Sequence, residues 1–305
     1  MAEQTFVDAE RRLFERYGVA FERRSLELRD PPLSICVREA GTGDPVVFVH
    51  GSGMSGATWA PVIAHLPDRR SIAIDLPGFG LSDPHGYSYR PLRAHAVAQL
   101  TSVLDALGLE RAPLVGTSLG AMWALCFALA APERVSAVVA IGMPAVALPG
   151  VRGDPFFTLL TIPGLGRVAA RVIPPPKSVR TTRMGMKGVI GRPGLERTPD
   201  EFFEVVSAGM NMPGWREAMW THLNLALRFG RGRPENVLTD AELRSIATPV
   251  LFIWGADDVY GGPEIGRRAA AVMPDARVEV GPGNHAPFLD DPERCAALIR
   301  QAVSR

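Results

Sequence analysis

The alternation of apolar and polar positions divides the chain into a sheet-forming part and an interruption. Three extended segments are predicted near the start, over residues 21–28, 33–38 and 46–49, and their sequential order favours a meander at the beginning of the fold. From there, short apolar strands alternate with longer helical patterns, which is typical of a mostly parallel sheet with helices on both faces. The strands predicted in this alternation are 71–74, 113–115, 136–141, 249–254 and 277–280, and the helices are 91–107, 121–131, 263–273 and a last one from 292 onward.

The alternation is interrupted between residues 147 and 243. Several short helical patterns occur there, separated by Pro, Gly and Arg, and no strong strand is predicted. Because strands and helices alternate again afterwards, we expect residues 1–146 and 244–305 to form one α/β core and residues 147–243 to form an inserted helical cap. Ahead of the sheet, residues 1–17 predict a helix packed outside the core.

Composition and charge narrow the class of protein. Of the 305 residues, 47% are apolar and 21% are charged, which excludes a disordered or collagen-like chain. The 33 basic and 32 acidic side chains leave a formal charge of +1, so we expect neither nucleic acid nor a membrane as a partner. The first twelve residues lack the apolar core of a secretory signal, and the longest apolar run, 121–131, is too short to span a bilayer. We therefore expect a cytoplasmic protein.

A serine framed by glycines carries the strongest chemical signal. Residues 116–120 read Gly-Thr-Ser-Leu-Gly, follow a short apolar strand and precede a long apolar helix, which is the setting of a nucleophile elbow. A turn this tight forces the central Ser118 into a strained conformation, and residues larger than glycine beside it would collide with the strand and the helix. The helix N-terminus favours developing negative charge. A serine hydroxyl still needs a nearby base and an orienting acid.

Candidates for the base and the acid follow the later strands. His285 lies in a Gly- and Pro-rich loop just past the last predicted strand and is the candidate base. Asp257 and Asp258 follow the preceding strand and lie at the same end of the sheet as Ser118, and only one of them can face the histidine. Packed or solvated side chains without a chemical role are expected at His65, His85, His95 and His222.

These features together resemble the α/β-hydrolase superfamily, in its cap-bearing form, over nearly all of residues 20–303. The order serine, aspartate, histidine along the chain is that of the family's catalytic triad. Residues 50–53, His-Gly-Ser-Gly, resemble its oxyanion loop, and residues 75–82, Asp-Leu-Pro-Gly-Phe-Gly-Leu-Ser, resemble its D-x-P-G-x-G-x-S segment. The acid in such proteins usually falls three residues after the glycine that ends the strand. The resemblance therefore favours Asp258 over Asp257 as the triad acid.

The resemblance also implies an oxyanion hole made of two backbone amides. One is the amide of Leu119, directly after the nucleophile, and the other is that of Ser52 in the oxyanion loop. Gly53 and Met54 are the alternatives to Ser52 as the second donor. His50 is interpreted as a structural support of this loop rather than as a second base.

The nucleophile selects among the reactions of the superfamily. Haloalkane dehalogenases and epoxide hydrolases of this superfamily carry an aspartate at the elbow, whereas Ser118 stands there in this chain. We therefore expect a serine hydrolase that cleaves a carboxylic ester, thioester or lactone of a small to medium apolar substrate through an acyl-enzyme. The alternatives are a carbon–carbon bond hydrolase, disfavoured by Ala286 where those enzymes often carry tryptophan, a cofactor-free perhydrolase, and a non-catalytic ligand-binding or receptor-like protein.

The predicted cap is basic in its first half. From residue 152 to residue 197, nine Lys or Arg stand against two acids, Asp154 and Glu196. Such a face either steers an anionic substrate towards the entrance or is simply solvated, and both interpretations stay open. The apolar residues of the cap either form a substrate pocket or hold the cap on the core. They are Phe156, Phe157, Leu159, Leu160, Phe202, Phe203, Met210, Met212, Trp215, Met219 and Trp220.

Motifs for cofactors and metals are absent from the sequence. The histidines do not occur at ligand spacing with cysteines or carboxylates, and neither a Walker pattern nor a dinucleotide G-x-G-x-x-G follows the first strand. We therefore expect no cofactor and no metal, and a small molecule as the only partner. Monomer and homodimer are both left open.

Overall fold

The computed structural model describes residues 1–85, 87, 90–151, 153 and 155–304. Its strands are β1 (Phe21–Arg29), β2 (Pro32–Ala40), β3 (Pro45–Val49), β4 (Arg70–Ile74), β5 (Ala112–Thr117), β6 (Val135–Ile141), β7 (Leu227–Arg228), β8 (Arg231–Gly232), β9 (Val250–Gly255) and β10 (Ala276–Gly281). Its α-helices are α1 (Ala2–Arg16), α2 (Ala60–Ile63), α3 (Leu92–Ala106), α4 (Leu119–Ala130), α5 (Pro155–Leu160), α6 (Leu165–Val172), α7 (Val179–Met186), α8 (Arg192–Arg197), α9 (Asp200–Met210), α10 (Trp215–Ala226), α11 (Asp240–Ser245), α12 (Pro263–Val272), α13 (Pro287–Asp290) and α14 (Pro292–Val303). Short 3₁₀ turns occupy Gly56–Trp59, Pro132–Arg134 and Pro234–Asn236.

Eight strands form one mostly parallel sheet in the order β1-β2-β4-β3-β5-β6-β9-β10. This is the α/β-hydrolase fold that the sequence predicts, and the fold class is confirmed. The predicted opening meander is wrong beyond its first two strands. β1 and β2 pair antiparallel, but β2 then pairs with β4, and β3 runs parallel between β4 and β5. The wholly apolar β3 needs strands on both sides and helices on both faces, which a meander at the sheet edge does not supply.

The sheet separates two clusters of buried side chains. Successive residues of β3 point to opposite faces, so that Val47 and Val49 join the cluster containing α3 and α4, whereas Val46 and Phe48 join the cluster containing α1 and α14. The helix α4, just behind the candidate nucleophile, is apolar all round and almost entirely buried. A rigid support therefore lies behind the elbow.

The N-terminal helix α1 is part of the packed structure, and the expectation that it lies outside the core is wrong. Phe6 and Leu13 are fully buried, and α1 packs against α9. The carboxylate of Glu10 bonds Arg38 of β2, and both side chains are fully buried. A buried guanidinium needs such partners because an unpaired charge in the interior is strongly unfavourable.

Helices α5 to α10 and the short β7–β8 ribbon lie between β6 and β9. We call residues 147–243 the cap segment; its division from the core at these positions remains a prediction. Among the residues that the structure describes, none of the helices combines the length and apolar character that a membrane span requires.

Candidate active site

Ser118 occupies a strained turn between β5 and α4. Its φ is 52° and its ψ is −110°, in a backbone region that residues with a side chain rarely adopt. The flanking glycines permit the turn: a Cβ atom on Gly116 would lie 2.3 Å from the backbone of Gly120, and one on Gly120 would lie 2.1 Å from the carbonyl oxygen of Val49. The predicted reason for the two glycines is therefore visible as two close backbone approaches.

His285 and Asp258 form a buried pair at the ends of β10 and β9. The Nδ1 atom of His285 lies 2.9 Å from Oδ2 and 3.1 Å from Oδ1 of Asp258, and the carboxylate is fully buried. Asp258 also accepts hydrogen bonds from the backbone amides of Met143, at 2.8 Å, and Tyr260, at 3.0 Å. Its neighbour Asp257 is exposed. The structure thus places Asp258, and not Asp257, against the histidine.

Gly142, which the sequence analysis did not single out, lets this pair approach the sheet. It follows β6 with a φ of 68°, and a Cβ atom there would lie 2.4 Å from the carbonyl oxygen of His285 and 3.1 Å from its Nδ1. Its amide donates to Ile253 of β9 at 2.8 Å. The sequence feature that could have identified Gly142 is its position as a glycine at the carboxyl end of a predicted central strand.

Ser118 and His285 line one cavity of about 50 Å³, which also reaches Ser52. Among the described residues, no hydrogen bond joins the Ser118 hydroxyl to the imidazole; such bonds are often long without substrate and shorten when it binds. The remaining lining is mainly apolar. It consists of Met143, Ala145, Val146, Val151, Gly153, Phe157, His222, Leu223, Ala226, Leu227 and Tyr260.

The three candidate donors of the loop that resembles an oxyanion loop, the backbone amides of Ser52, Gly53 and Met54, differ in whether they are already hydrogen-bonded. The amide of Met54 donates to the carbonyl oxygen of Gly51 at 3.2 Å, so it is already engaged. In the described part of the chain, no backbone acceptor takes the amide hydrogens of Ser52 and Gly53. The geometry therefore disfavours the alternative of Met54 as the second donor. Ser52 and Gly53 remain candidates, because their amide hydrogens have no backbone acceptor among the described residues.

His50 supports this loop from below. Its Nε2 accepts from the backbone amide of Leu76 at 2.9 Å, and its Nδ1 donates to the carbonyl oxygen of Gly51 at 2.7 Å. Burial lowers the pKa of His50 to about 4. The ring is thus neutral at neutral pH, and both of its nitrogen atoms are used in holding two loops together.

Asp75 braces the same loops from the D-x-P-G-x-G-x-S segment. Its carboxylate accepts from the amides of Gly56, at 2.7 Å, and Leu81, at 2.8 Å, and it pairs with the buried Arg38. A Cβ atom on Gly80 would lie 2.1 Å from that carboxylate. The carboxylate of Asp75 therefore ties Gly56, three residues after the His-Gly-Ser-Gly stretch, to Leu81 and to Arg38.

The cap segment touches the oxyanion loop through α10. The indole N–H of Trp215 donates to the carbonyl oxygen of Gly53 at 3.0 Å, and a Cβ atom on Gly53 would lie 3.2 Å from the Trp215 ring and 3.5 Å from the sulfur of Met219. Sequence reasoning placed Trp215 and Met219 only in a general apolar set. Their contact depends on how the cap segment folds back, which no local pattern encodes.

His222, also on α10, lines the cavity, whereas its surroundings in the sequence predicted only a packed or solvated side chain. Its Nδ1 is buried and has no hydrogen-bond partner among the described residues. Burial, together with the proximity of His50, lowers the pKa of His222 to about 3. It therefore presents a neutral ring to the cavity.

Most of the apolar and basic residues singled out in the predicted cap lie away from the cavity. Of the apolar set, only Phe157 lines the cavity, whereas Phe202 and Phe203 are buried in the cluster that contains α1. None of the described Lys or Arg residues of the basic stretch lines it. Arg152 and Asp154 lie outside the described residues. The apolar set thus mostly packs the cap segment against the core.

Comparisons with known proteins agree with this fold. The sequence profile described as the alpha/beta hydrolase family matches residues 46–298. An uncharacterized protein of Mycobacterium tuberculosis is 30% identical over 281 residues, which span 87% of this chain and 76% of that protein. A 2-hydroxy-6-oxononadienedioate/2-hydroxy-6-oxononatrienedioate hydrolase of Cupriavidus pinatubonensis is 29% identical over 264 residues, which span 82% of this chain and 83% of that enzyme.

Among solved structures, a carboxylesterase of Bacillus subtilis superimposes with a TM-score of 0.75 at 23% identity. The superposition covers 99% of this chain and 98% of the esterase. At this identity the likeness bears on the fold alone.

Proposed function

The chain belongs to the alpha/beta hydrolase family, and from that membership we propose that it is a serine hydrolase that cleaves carboxylic esters through an acyl-enzyme. One observation carries the proposal: Ser118, at a φ of 52°, lines the same cavity as His285, whose Nδ1 is held by Asp258 at 2.9 Å. A strained serine, an oriented imidazole and a buried carboxylate are the three parts that this reaction needs.

The geometry suggests a role for each group. Asp258 accepts a hydrogen bond from the Nδ1–H of His285, which keeps the proton on Nδ1 and leaves Nε2 as the base that takes the proton of the Ser118 hydroxyl. The serine oxygen then attacks the ester carbonyl, and the amides of Leu119 and Ser52 receive the negative charge on the carbonyl oxygen. His285 returns its proton to the departing alcohol. Water, activated in the same way, releases the acid and restores the Ser118 hydroxyl.

The cavity lining supports an apolar substrate. Phe157, Leu223 and Leu227 of the cap segment face Met143 and Val146 of the core around the nucleophile. A volume of about 50 Å³ has room for only a few water-sized groups. We therefore expect esters of short, uncharged acids, such as acetate and butyrate, to be cleaved faster than those of long acids. A thioester or a lactone of the same size would fit the same machinery.

A carbon–carbon bond hydrolase is the second candidate, and the observation in its favour is the relative from Cupriavidus pinatubonensis, 29% identical over most of both chains. The name of that enzyme describes dioate substrates, which carry two carboxylates. Within the described residues, no Lys or Arg lines the cavity to receive such groups. The ester reaction is therefore the first candidate.

A substrate panel tests this choice. The purified protein is assayed with p-nitrophenyl esters from acetate to dodecanoate, with a matched ester whose acyl group ends in a carboxylate, and with a 2-hydroxy-6-oxo-dienoate. We expect the highest kcat/KM for the short neutral esters, and a lower value for the charged ester at both low and high ionic strength. Preferential turnover of the dienoate would instead establish the second candidate. Ser118→Ala is the blank for every substrate.

A further inference from the structure

The stretch from residue 155 to residue 195 has an extreme charge bias. It contains seven Lys or Arg and no Asp or Glu, whereas the rest of the chain contains 26 basic and 32 acidic side chains. A nearly neutral protein thus concentrates its positive charge in one part of the cap segment. The formal charge of +1 for the whole chain conceals this asymmetry, which the basic first half of the predicted cap already indicated.

The same stretch exposes apolar side chains. Nine large hydrophobic residues are exposed among those described, and six of them lie between residues 156 and 184. Single exposed apolar residues need no explanation, but a cluster on one surface typically marks a contact with another molecule or a membrane. The six are Phe156, Leu165, Val168, Val172, Ile173 and Met184.

The helix α6 shows the arrangement most clearly. It buries its small residues, Gly166 and Ala169, and leaves Leu165, Val168 and Val172 exposed by 51%, 57% and 68%. At 100° per residue these three side chains lie within about 60° of one another on the helix surface. Large apolar groups on the outer face and small ones on the inner face are the reverse of a helix that folds only against its own core.

Two arginines accompany this apolar stripe. Arg167 and Arg171 are exposed on the same helix, and neither has an acidic partner among the described residues. By contrast, Arg183 and Arg192, elsewhere in the basic stretch, pair with Asp200 and Glu196. The positive charge beside the apolar stripe is therefore not neutralised within the described part of the molecule. We define the α6 patch by Leu165, Arg167, Val168, Arg171, Val172 and Ile173.

We propose that the α6 patch docks on an anionic lipid surface. A stripe of aliphatic side chains next to arginines that have no acidic partner among the described residues matches both parts of such a surface, because the apolar groups enter the acyl boundary while the cations pair with the headgroups. This proposal reverses the expectation of no membrane partner that the overall charge of +1 suggested. It concerns binding at the surface and does not require a spanning helix.

The α6 patch lies on a helix that packs directly against two helices lining the cavity. α6 packs against α5 and α10, and these two helices contribute Phe157, His222 and Leu223 to the cavity lining. Docking through α6 would therefore bring the cap segment, and not the far side of the core, against the lipid. An apolar ester dissolved in the membrane would then have a short path to the cavity. Docking itself does not depend on the proposed hydrolase activity.

Vesicle sedimentation tests the proposal with the full-length protein. We expect binding to vesicles of equal parts phosphatidylglycerol and phosphatidylcholine at 50 mM salt, at least about tenfold weaker binding to phosphatidylcholine alone, and strong weakening at 500 mM salt. Arg167→Gln with Arg171→Gln, and separately Val168→Ser with Val172→Ser, should each lower binding by about tenfold or more. The substituted side chains are exposed, and melting temperatures verify that each variant is folded.

A matched pair of arginines provides the control. Arg267 and Arg268 are exposed on α12 of the core without an acidic partner among the described residues, and changing both to Gln should leave binding within about twofold of wild type. Ser118→Ala should bind vesicles normally, which separates docking from catalysis. Absence of binding to the anionic vesicles, or equal effects of the α6 and α12 variants, would overturn the proposal. Concentration-dependent dimerisation through α6 without vesicle binding would also overturn it and assign the patch to a second copy.

Discussion

The indole nitrogen of Trp215, in the cap segment, lies 3.0 Å from the carbonyl oxygen of Gly53, in the oxyanion loop. This hydrogen bond fixes the peptide plane between Gly53 and Met54, two peptide planes beyond the one that carries the proposed donor, the amide of Ser52. The cap segment therefore does more than cover the cavity, because it also holds the turn on which charge stabilisation would depend.

Trp215→Phe keeps an aromatic ring on α10 but removes the donor. We expect kcat for a short ester to fall by about tenfold with KM changed by less than about twofold, because a loosened oxyanion donor weakens the transition state more than the bound ester. Trp220→Phe on the same helix is the control, since the Trp220 N–H has no partner among the described residues. Equal losses in the two variants, or a loss confined to KM, would show that the hydrogen bond does not position the loop.

Substitutions of Asp258 and Asp257 test which of the two carboxylates is the triad acid. Asp258→Asn should lower kcat by about 10³-fold, because the amide no longer holds the imidazole in the tautomer that leaves Nε2 as a base. The exposed Asp257, changed in the same way, should lose less than about twofold. Steady-state kinetics on one ester decides between them, and a larger loss in Asp257→Asn would make the assignment of the acid wrong.

The close contact at Gly120 of the elbow predicts that a larger residue there destabilises the protein. Gly120→Ala places a methyl group about 2.1 Å from the Val49 carbonyl oxygen, so we expect a loss of several kcal/mol in the free energy of unfolding and no activity. Gly185→Ala, in α7, meets no atom within 4 Å and should stabilise the protein by about 0.5–1 kcal/mol. Urea denaturation measures both; a stable, active Gly120→Ala would contradict the close approach.

Three buried histidines predict how stability depends on pH. Burial lowers the pKa to about 4 for His50 and to about 3 for His95 and His222, whereas an unfolded histidine titrates near 6.5. Because the unfolded chain binds these protons first, their contribution to stability is complete above about pH 6.5. It is lost as the pH falls from there towards the folded pKa values, by about 1.4 kcal/mol per pH unit for each histidine.

His222→Gln provides the test of that dependence. Removing one such group should reduce the slope of the unfolding free energy against pH, between pH 6.5 and 4.5, by about 1.4 kcal/mol per pH unit. The exposed His65, changed to Gln, is the matched control. Chemical denaturation at several pH values measures the slopes. An unchanged slope in His222→Gln would mean that this ring is already solvated or paired in the folded protein.

The parts of this structure that sequence patterns predicted are those that depend on local chain geometry. The elbow at Ser118 was predictable because strand, glycine-framed turn and helix are consecutive, and the fold class followed from the alternation of strands and helices. The position of β3 between β4 and β5 was not, since strand order depends on contacts between distant segments. For the same reason, the contacts of Trp215 and His222 with the site could not be predicted from their surroundings in the sequence.

The central claim is that Ser118 is a nucleophile activated by His285, and covalent labelling tests it most directly. The protein is incubated with a fluorophosphonate, and its intact mass is measured together with hydrolysis of p-nitrophenyl butyrate. We predict one adduct on the wild type, mapped to Ser118, with no adduct on Ser118→Ala and a fall in kcat of at least about 10⁴-fold in Ser118→Ala and His285→Ala. An unlabelled, inactive wild-type protein, or labelling that persists in Ser118→Ala, would contradict the account.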